Sequence, residues 1–325
     1  MRIGAVLALT GRFARFGTQA AEGLRTWHDL TGLTEPPDIV DDGSAPGRVG
    51  PALDELAARC DLLLGPYGTS TARAAATWAR ERDRLVWNHG GAGRDVQDSA
   101  PGRLVSLITP TDRSGEPFVR WLATRHPGTP LDLVAGPGTF GPLVVDGMRR
   151  VADGLGVPVG TGTGGPGTDG RALFAAGTFE HDTALVRDLA TPPAVLGTVA
   201  AGVAAFAEHV PDPDGVLGLA QWIPGARPWP ELGPDEAGFL ARYRERTGTA
   251  PDYPGVQAAA AATVAMHCAR LAGSTADDAL FAAATGLRTS TFYGGFAIDP
   301  VTGAQTGHDA VLTRWRGGRI VPEPL

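Results

Sequence analysis

A chain of 325 residues, 43% hydrophobic and 19% charged, can bury one large core or two cores of ordinary domain size. Its formal net charge of −7 argues against nucleic acid or an anionic membrane surface as partner. All 28 basic side chains are arginine, which excludes lysine Schiff-base chemistry, pyridoxal phosphate attachment and a P-loop lysine.

Ile3 to Leu9 is an apolar run that predicts a first core strand. Only Met1-Arg2 precedes it, too little for a signal peptide, so a cytoplasmic location is expected if the start is genuine. Gly17 to Thr31 has the spacing of a helix with one buried face, and Val49 to Arg59 is helical. Leu62 to Leu64 reads as a strand buried on both faces, stopped by Gly65-Pro66. Gly68, Thr69 and Ser70 then lead into the alanine-rich helix Thr71 to Arg82. Thr69 and Ser70 are favoured helix N-caps, so hydroxyls and free N–H groups are expected to meet at the positive end of the helix dipole. That arrangement is a seat for a small anion such as a carboxylate. Leu85 to Asn88 is a further strand, ending in the turn His89-Gly90-Gly91-Ala92-Gly93, and Leu104 to Ile108 is another.

After the connection Thr109-Pro110-Thr111 a second set of elements begins. Phe118 to Thr124 and Leu143 to Leu155 are helical around the strand Leu131 to Ala135. A short strand, Val157 to Val159, runs into the Gly/Thr-rich stretch from Gly160 to Gly170. Strands are expected at Phe174 to Ala176, Val195 to Val199 and Val216 to Ala220, with helices at Ala184 to Ala190 and Val203 to His209. Two long helices, Asp235 to Thr247 and Gly255 to Leu271, precede hairpin strands turning at Asp299-Pro300 and Gly317-Gly318. The alternation of strand and helix predicts an α/β architecture with parallel sheets. No apolar run reaches the roughly 20 residues of a membrane helix, so direct membrane insertion is not expected. Cys60 and Cys268 lack metal-ligand spacing and are expected to be buried free thiols.

Three segments, IGAVLALTGRFARFGTQAAEG, LLLGPYGTSTARAAATWARERDRLVWNHGGAG and GGFAIDPVTGAQTGHDAVLTRW, occur in this order. Together they resemble the leucine/isoleucine/valine-binding branch of the type I periplasmic binding proteins, most closely over the first 110 residues and from Asp252 onward. The resemblance implies two Rossmann-like lobes joined by three crossover segments and closing on a small ligand. It places residues 1–109 and 222–307 in one lobe and 110–221 and 308–325 in the other. It further implies no enzymatic activity, no cofactor or metal, delivery of the ligand to an ABC transporter permease, and an extracytoplasmic location.

Carried onto this chain, the resemblance puts Thr69 and Ser70 on the ligand carboxylate and the loop His89, Gly90, Gly91 and Ala92 beside it. Phe16 falls where an aromatic covers the ligand, and Phe140, in GTFGPL, matches an aromatic loop of the second lobe. Tyr67, Phe179 and Trp222 are further aromatics at predicted strand ends. Each of these positions also has a plain reading, as a helix cap, a tight turn or core packing. The pattern departs where amino-acid binders hold an acid for the ligand ammonium, because Val199 stands there, inside VLGTVAAG. Ala92 replaces a hydroxyl, and GTGTGGPGTDG replaces a helix. An ammonium without a partner is costly to bury. Either Glu180 or Asp182 supplies the acid, or the ligand is a carboxylate or amide with an apolar body rather than an α-amino acid.

Three alternatives compete. An intracellular ligand-sensing protein of the same fold needs no export signal. Gly68-Thr69-Ser70-Thr71-Ala72 approximates a nucleophile elbow, with His181, His209, His267 or His308 as the base of a serine hydrolase, although the order of the loops argues against it. Gly160, Gly162 and Gly165 satisfy a dinucleotide fingerprint, but Pro166 follows where a helix should start.

Overall fold

The computed structural model describes residues 1–160, 170–226 and 230–325. The chain opens with β1 (Ile3–Leu7), α1 (Ala14–Thr31), β2 (Asp38–Asp41), α2 (Pro46–Ala57), β3 (Leu62–Leu64), α3 (Thr69–Arg82), β4 (Val86–Asn88), α4 (Arg94–Asp98) and β5 (Leu104–Ser106). Next come α5 (Glu116–Arg125), β6 (Leu131–Ala135), α6 (Phe140–Leu155), β7 (Val159–Gly160), β8 (Ala172–Ala176), α7 (Phe179–Asp188), β9 (Val195–Thr198), α8 (Phe206–His209) and β10 (Leu217–Ala220). The last part holds α9 (Glu236–Thr247), α10 (Tyr253–Ala272), α11 (Asp277–Gly286), β11 (Thr289–Thr291), β12 (Gly294–Phe296), β13 (Val311–Arg316) and β14 (Arg319–Pro322). These elements form two units, Met1–Pro110 with Arg227–His308, and Thr111–Ala226 with Asp309–Leu325.

The first unit carries a parallel sheet in the order β2-β1-β3-β4-β5. β1 and β3 are buried at every position, as parallel strands are when helices cover both faces. On one face Val6, Leu63 and Val86 pack with Val49 and Leu53 of α2, Ala72 and Ala76 of α3, and Val96 of α4. α1 and α10 pack on each other and on the sheet. α10 reads YPGVQAAAAATVAMHCARLA and is buried around most of its circumference, which its small side chains allow. Asp235 and Asp252 cap α9 and α10 through their carboxylates, and left-handed Gly248 and Gly273 end the same helices.

The second unit carries the order β14-β13-β10-β9-β8-β6-β7, parallel from β7 to β10 and closed by the antiparallel β13 and β14. Its main core joins Phe118 and Leu122 of α5 and Val144 and Met148 of α6 to Leu131, Leu133 and Phe174 of the sheet. A second cluster holds Phe206, Val210 and Trp315, with Phe179 and Val186 of α7 packed against it. Written from β7, the parallel strands run β7-β6-β8-β9-β10, the same order relative to the chain as in the first unit.

Four elements escaped the sequence pattern, among them β11, three residues that pair only with β12. β2 reads DIVD, four half-buried residues at a sheet edge, and pairing with β1 extends it into a strand. α4 has five residues and α11 ten, too few for periodicity to separate from loop. Helix at Val203 to His209 reduces to α8, with a single 3₁₀ turn at Ala200–Gly202 before it. The hairpin at Gly317-Gly318 forms between β13 and β14. Asp299-Pro300 is a turn held by the Asp299 carboxylate, which accepts the Val301 and Thr302 amides, with one bridge from Ile298 to Gln305. The Gly162 and Gly165 positions of the dinucleotide match, and most of the stretch GTGTGGPGTDG, lie outside the described residues. Cys60 and Cys268 are free and buried, and burial pushes their thiols up to about 11 and about 12. Among the described residues no helix is long and apolar enough to cross a membrane.

Phe174 is fully buried with its ring centroid 4.7 Å from that of Phe118. Phe174→Ala is expected to destabilise the second unit by about 3–5 kcal/mol. Equilibrium urea unfolding should show that unit's transition at lower urea, with the first unit's transition unmoved.

Candidate functional site

In open parallel sheets ligands bind beyond the carboxyl ends of the strands, where consecutive crossovers leave for opposite faces. In the first unit that switch point lies between β1 and β3, because β2 is added on one side of β1 and β3 on the other. The loop after β1 ends at Phe13, the N-cap of α1, and Phe16 stands in the first turn of that helix. The loop after β3 carries Tyr67 and the start of α3, and the neighbouring loop after β4 carries His89 to Ala92. Topology thus brings the sequence-predicted Phe16, Tyr67, Thr69, Ser70 and the His89 to Ala92 loop to one end of one sheet.

α3 starts two residues earlier than expected. Gly68, at φ +100°, is its N-cap, and Thr69 and Ser70 are its first two residues rather than caps. Glycine is required there because a side chain would suffer at that φ and its Cβ would lie 2.9 Å from the Phe13 ring. The hydroxyl that secures the turn belongs to Thr71, which donates to the Tyr67 carbonyl at 2.5 Å and lies 2.8 Å from that of Gly68. Ala72 makes the first helical hydrogen bond, to Gly68. The amides of Thr69, Ser70 and Thr71 therefore precede the helical ladder, and among the described residues they have no protein acceptor. Thr69 and Ser70 are half-buried, with their hydroxyls available beside those amides.

The β4 loop behaves differently from the expectation. The Asn88 side chain, 1% exposed, accepts from the Gly90 amide at 3.2 Å and the Gly91 amide at 2.9 Å, and donates to the Gly91 carbonyl at 2.5 Å. The Gly90 carbonyl accepts the Gly68 amide at 2.9 Å, joining this loop to the start of α3. The backbone groups of Gly90 and Gly91 are thus used by the protein itself. Their lack of side chains serves packing, since a Cβ on Gly91 would stand 2.0 Å from that of Ala72, and one on Gly90 2.6 Å from the Pro66 carbonyl oxygen. Ala92 stays half-buried. His89 has no exposed surface, and among the described residues neither ring nitrogen has a partner. Burial drives its pKa down to about 4, so the ring is neutral near pH 7.

Aromatic side chains gather next to the α3 turn. Phe16 stacks on Tyr67 with centroids 4.6 Å apart, Phe13 meets Tyr67 edge-on at 5.6 Å, and Phe16 lies 6.4 Å from Tyr253. The Tyr67 and Tyr253 hydroxyls are hydrogen-bonded to each other. The Arg12 and Arg15 guanidinium groups stand 4.3 Å and 4.7 Å from the Phe13 and Phe16 ring centroids. Sequence reasoning missed Asn88, Phe13 and Tyr253. A polar residue closing the buried triplet of β4 was a visible signal for Asn88, whereas Tyr253 stands 186 positions from Tyr67 and gave none.

Three acids of this region are engaged, whereas Asp42, fully buried beside Asp41, accepts the Ser44 amide through Oδ1 and leaves Oδ2 without a partner among the described residues. Asp41 accepts from the Leu9, Thr10 and Gly43 amides and the Thr10 hydroxyl; burial opposes its ionisation, but these hydrogen bonds hold its pKa below the usual range. Asp95 pairs with Arg73. Asp252 accepts the Tyr253 amide at 2.8 Å, and burial raises its pKa.

In the second unit the corresponding switch point lies between β6 and β8. Phe140 opens α6 there and packs on the main core, while Phe179 opens α7 and meets His209 edge-on at 5.1 Å. Glu180, next on α7, is exposed. Asp182 is fully buried and bonded to the Thr198 hydroxyl at 2.9 Å, the Ala200 amide at 3.2 Å and His181 at 3.0 Å, so it fastens the end of β9. Burial raises its pKa against those hydrogen bonds. Trp222, just after β10, is 1% exposed. The four histidines considered as bases are placed elsewhere: His308 lies 2.7 Å from the Thr109 hydroxyl and stacks on Tyr293, His181 is held by Asp182, His209 packs on Phe179, and His267 lies within α10. Among the described residues no histidine is hydrogen-bonded to Ser70.

Residues 1–170 match the family model described as periplasmic binding protein, and the chain belongs to that family of non-enzymatic binding proteins. Its fold is shared by the leucine-binding protein LivK of Thermotoga maritima, 15% identical, over 100% of this chain and 98% of that one, with a TM-score of 0.81. It is shared by the branched-chain amino acid transporter substrate-binding protein LivJ of Streptococcus pneumoniae, solved with isoleucine, 12% identical over 98% and 97% at a TM-score of 0.78. A solute-binding protein of an ABC transporter from R. palustris, solved with benzoate, is 16% identical over 99% and 94% at a TM-score of 0.75. No curated protein matches the chain in sequence.

Two outcomes follow from this geometry. Asn88→Ala removes three hydrogen bonds from a buried turn and is expected to cost about 2–4 kcal/mol, read as a lower urea midpoint of the first unit. His89 binds a proton more readily unfolded, near pH 6.5, than folded, near pH 4. Its contribution is therefore intact above about pH 6.5 and is lost as pH falls toward 4, about 3 kcal/mol in all. Urea titrations at pH 7 and pH 4.5 should show the loss in the native protein, and His89→Gln should flatten it.

Proposed function

We propose that this protein is the solute-binding component of an ABC importer, acting outside the cytoplasmic membrane, with a small organic carboxylate of apolar body as its ligand. The observation that carries the reading is the first turn of α3. Three backbone N–H groups without a protein acceptor and the hydroxyls of Thr69 and Ser70 converge there at the positive end of a 14-residue helix. A carboxylate is the small ligand group that such a site takes best. The cluster of Phe13, Phe16, Tyr67 and Tyr253 beside it supplies the surface for an apolar or aromatic body.

Charge separates a plain carboxylate from an α-amino acid. Asp41 and Asp95 in the first unit are engaged by amides, a hydroxyl and arginine, and Asp252 by the Tyr253 amide, so an ammonium brought to the α3 turn competes with partners these acids already hold. Benzoate and isoleucine in the structural relatives mark the two ligand classes this fold holds. One observation favours the amino-acid reading: Glu180 is exposed in the first turn of α7, at the second unit's switch point.

Isothermal titration with benzoate, 3-methylbutanoate, leucine and isoleucine separates the readings. The carboxylates are expected to bind and the amino acids to fail, and Thr69→Ala/Ser70→Ala should weaken carboxylate binding about 10- to 100-fold. Thermal shift supports the titration, since ligand at about 100 times its Kd adds about 2.7 kcal/mol of stability. Tight leucine or isoleucine binding that Glu180→Gln abolishes would establish the amino-acid reading instead.

A further inference from the structure

We propose that the paired phenols of Tyr67 and Tyr253 form a hydroxyl-reading subsite, so that the protein selects aromatic acids bearing a ring hydroxyl over the same acids without one. The inference rests on the carboxylate reading above and specifies the other end of the ligand.

The argument is a count of protons. Each phenol has one donor and two acceptor positions. The hydrogen bond between Tyr67 and Tyr253 consumes one of the two protons. Among the described residues no other acceptor serves either hydroxyl, so one phenolic proton and several lone pairs remain unused. Their surroundings are the stacked ring of Phe16, the edge of Phe13 and half-buried protein surface, where a lost hydrogen bond is costly. Ionisation does not relieve the pair: burial pushes Tyr67 up to about 12 and Tyr253 well above its ordinary value, so both protons stay in place at physiological pH.

A group with one free donor and free acceptors is complementary to another hydroxyl, which donates and accepts at once. A carboxylate, which only accepts, uses half of that capacity and has a better seat at the α3 amides. The two seats are adjacent along the chain, because Tyr67 immediately precedes Gly68, the N-cap of α3. A ring that carries an acid at one position and a hydroxyl at another can address both. The pair also joins the loop after β3 to the start of α10, 186 positions away, so occupancy is read by two separate elements of the first unit.

The test is isothermal titration of the full chain with benzoate, 3-hydroxybenzoate and 4-hydroxybenzoate, for the native protein and for Tyr253→Phe and Tyr67→Phe. The native protein should bind one hydroxybenzoate about tenfold or more tighter than benzoate. Each phenylalanine variant should lose affinity for that hydroxybenzoate about tenfold more than for benzoate. Circular dichroism and melting temperature identify folded variants, and either single variant suffices if the other does not fold. Benzoate binding with no hydroxyl preference in the native protein, or equal losses for both acids in the variants, overturns the subsite and leaves the carboxylate reading standing. Binding of none of the three acids overturns both.

Discussion

Parallel strands can be joined only by crossovers that return over a face of the sheet, and the right-handed rule ties the face to the direction of travel. In each unit the first crossover moves one way along the sheet and the next ones move the other. Between β1 and β3, and again between β6 and β8, the covering helices therefore leave on opposite faces and the strand ends are uncovered. Every residue with a credible claim on a ligand stands at one of these two places or close by. The positions of Phe16, Thr69 and Ser70 in the first unit, and of Phe140 and Glu180 in the second, follow from strand order before any side chain is considered.

Within the first unit, hydrogen bonding then divides the loops into those that build and those that offer. The β4 loop builds: Asn88 takes up the amides of Gly90 and Gly91, and the Gly90 carbonyl receives Gly68. That loop is bonded to Gly68, which stands at positive φ, and among the described residues the next three amides have no protein acceptor. The first amides of any helix lack an intrahelical acceptor, and here no side chain caps them. Of the carboxylates nearby, Asp41 is engaged by amides and a hydroxyl and Asp95 by arginine.

The two units share one strand order without any repeat visible in the sequence. Their cores are built from different residues: alanine and leucine with Trp78 in the first, phenylalanine, valine and leucine with Trp121 in the second. A parallel sheet needs apolar strands and an amphipathic or buried helix between them, and many sequences satisfy that. The architecture is thus duplicated while the loops differ. α3 begins after a left-handed glycine with no side-chain cap, whereas α7 begins after Thr178, whose hydroxyl accepts the His181 amide.

Much of the fold was legible from short-range pattern. Apolar runs marked β1, β3, β4 and β8, glycine marked the ends of α1 and α6, and the turn at Gly317-Gly318 was written in its residues. These features depend on neighbours within a few residues, so the sequence by itself determined them, along with the absence of lysine chemistry and the presence of a helix start after β3. What lay beyond it were edge pairing, as in β2, and every choice of partner between distant segments. Whether Gly90 meets a ligand or Asn88, whether Asp182 is free or fastened to Thr198, and whether Tyr67 finds Tyr253 depend on geometry set by the whole sheet. A polar group shows in the sequence only that it needs a partner, and the tertiary structure decides which partner comes within reach.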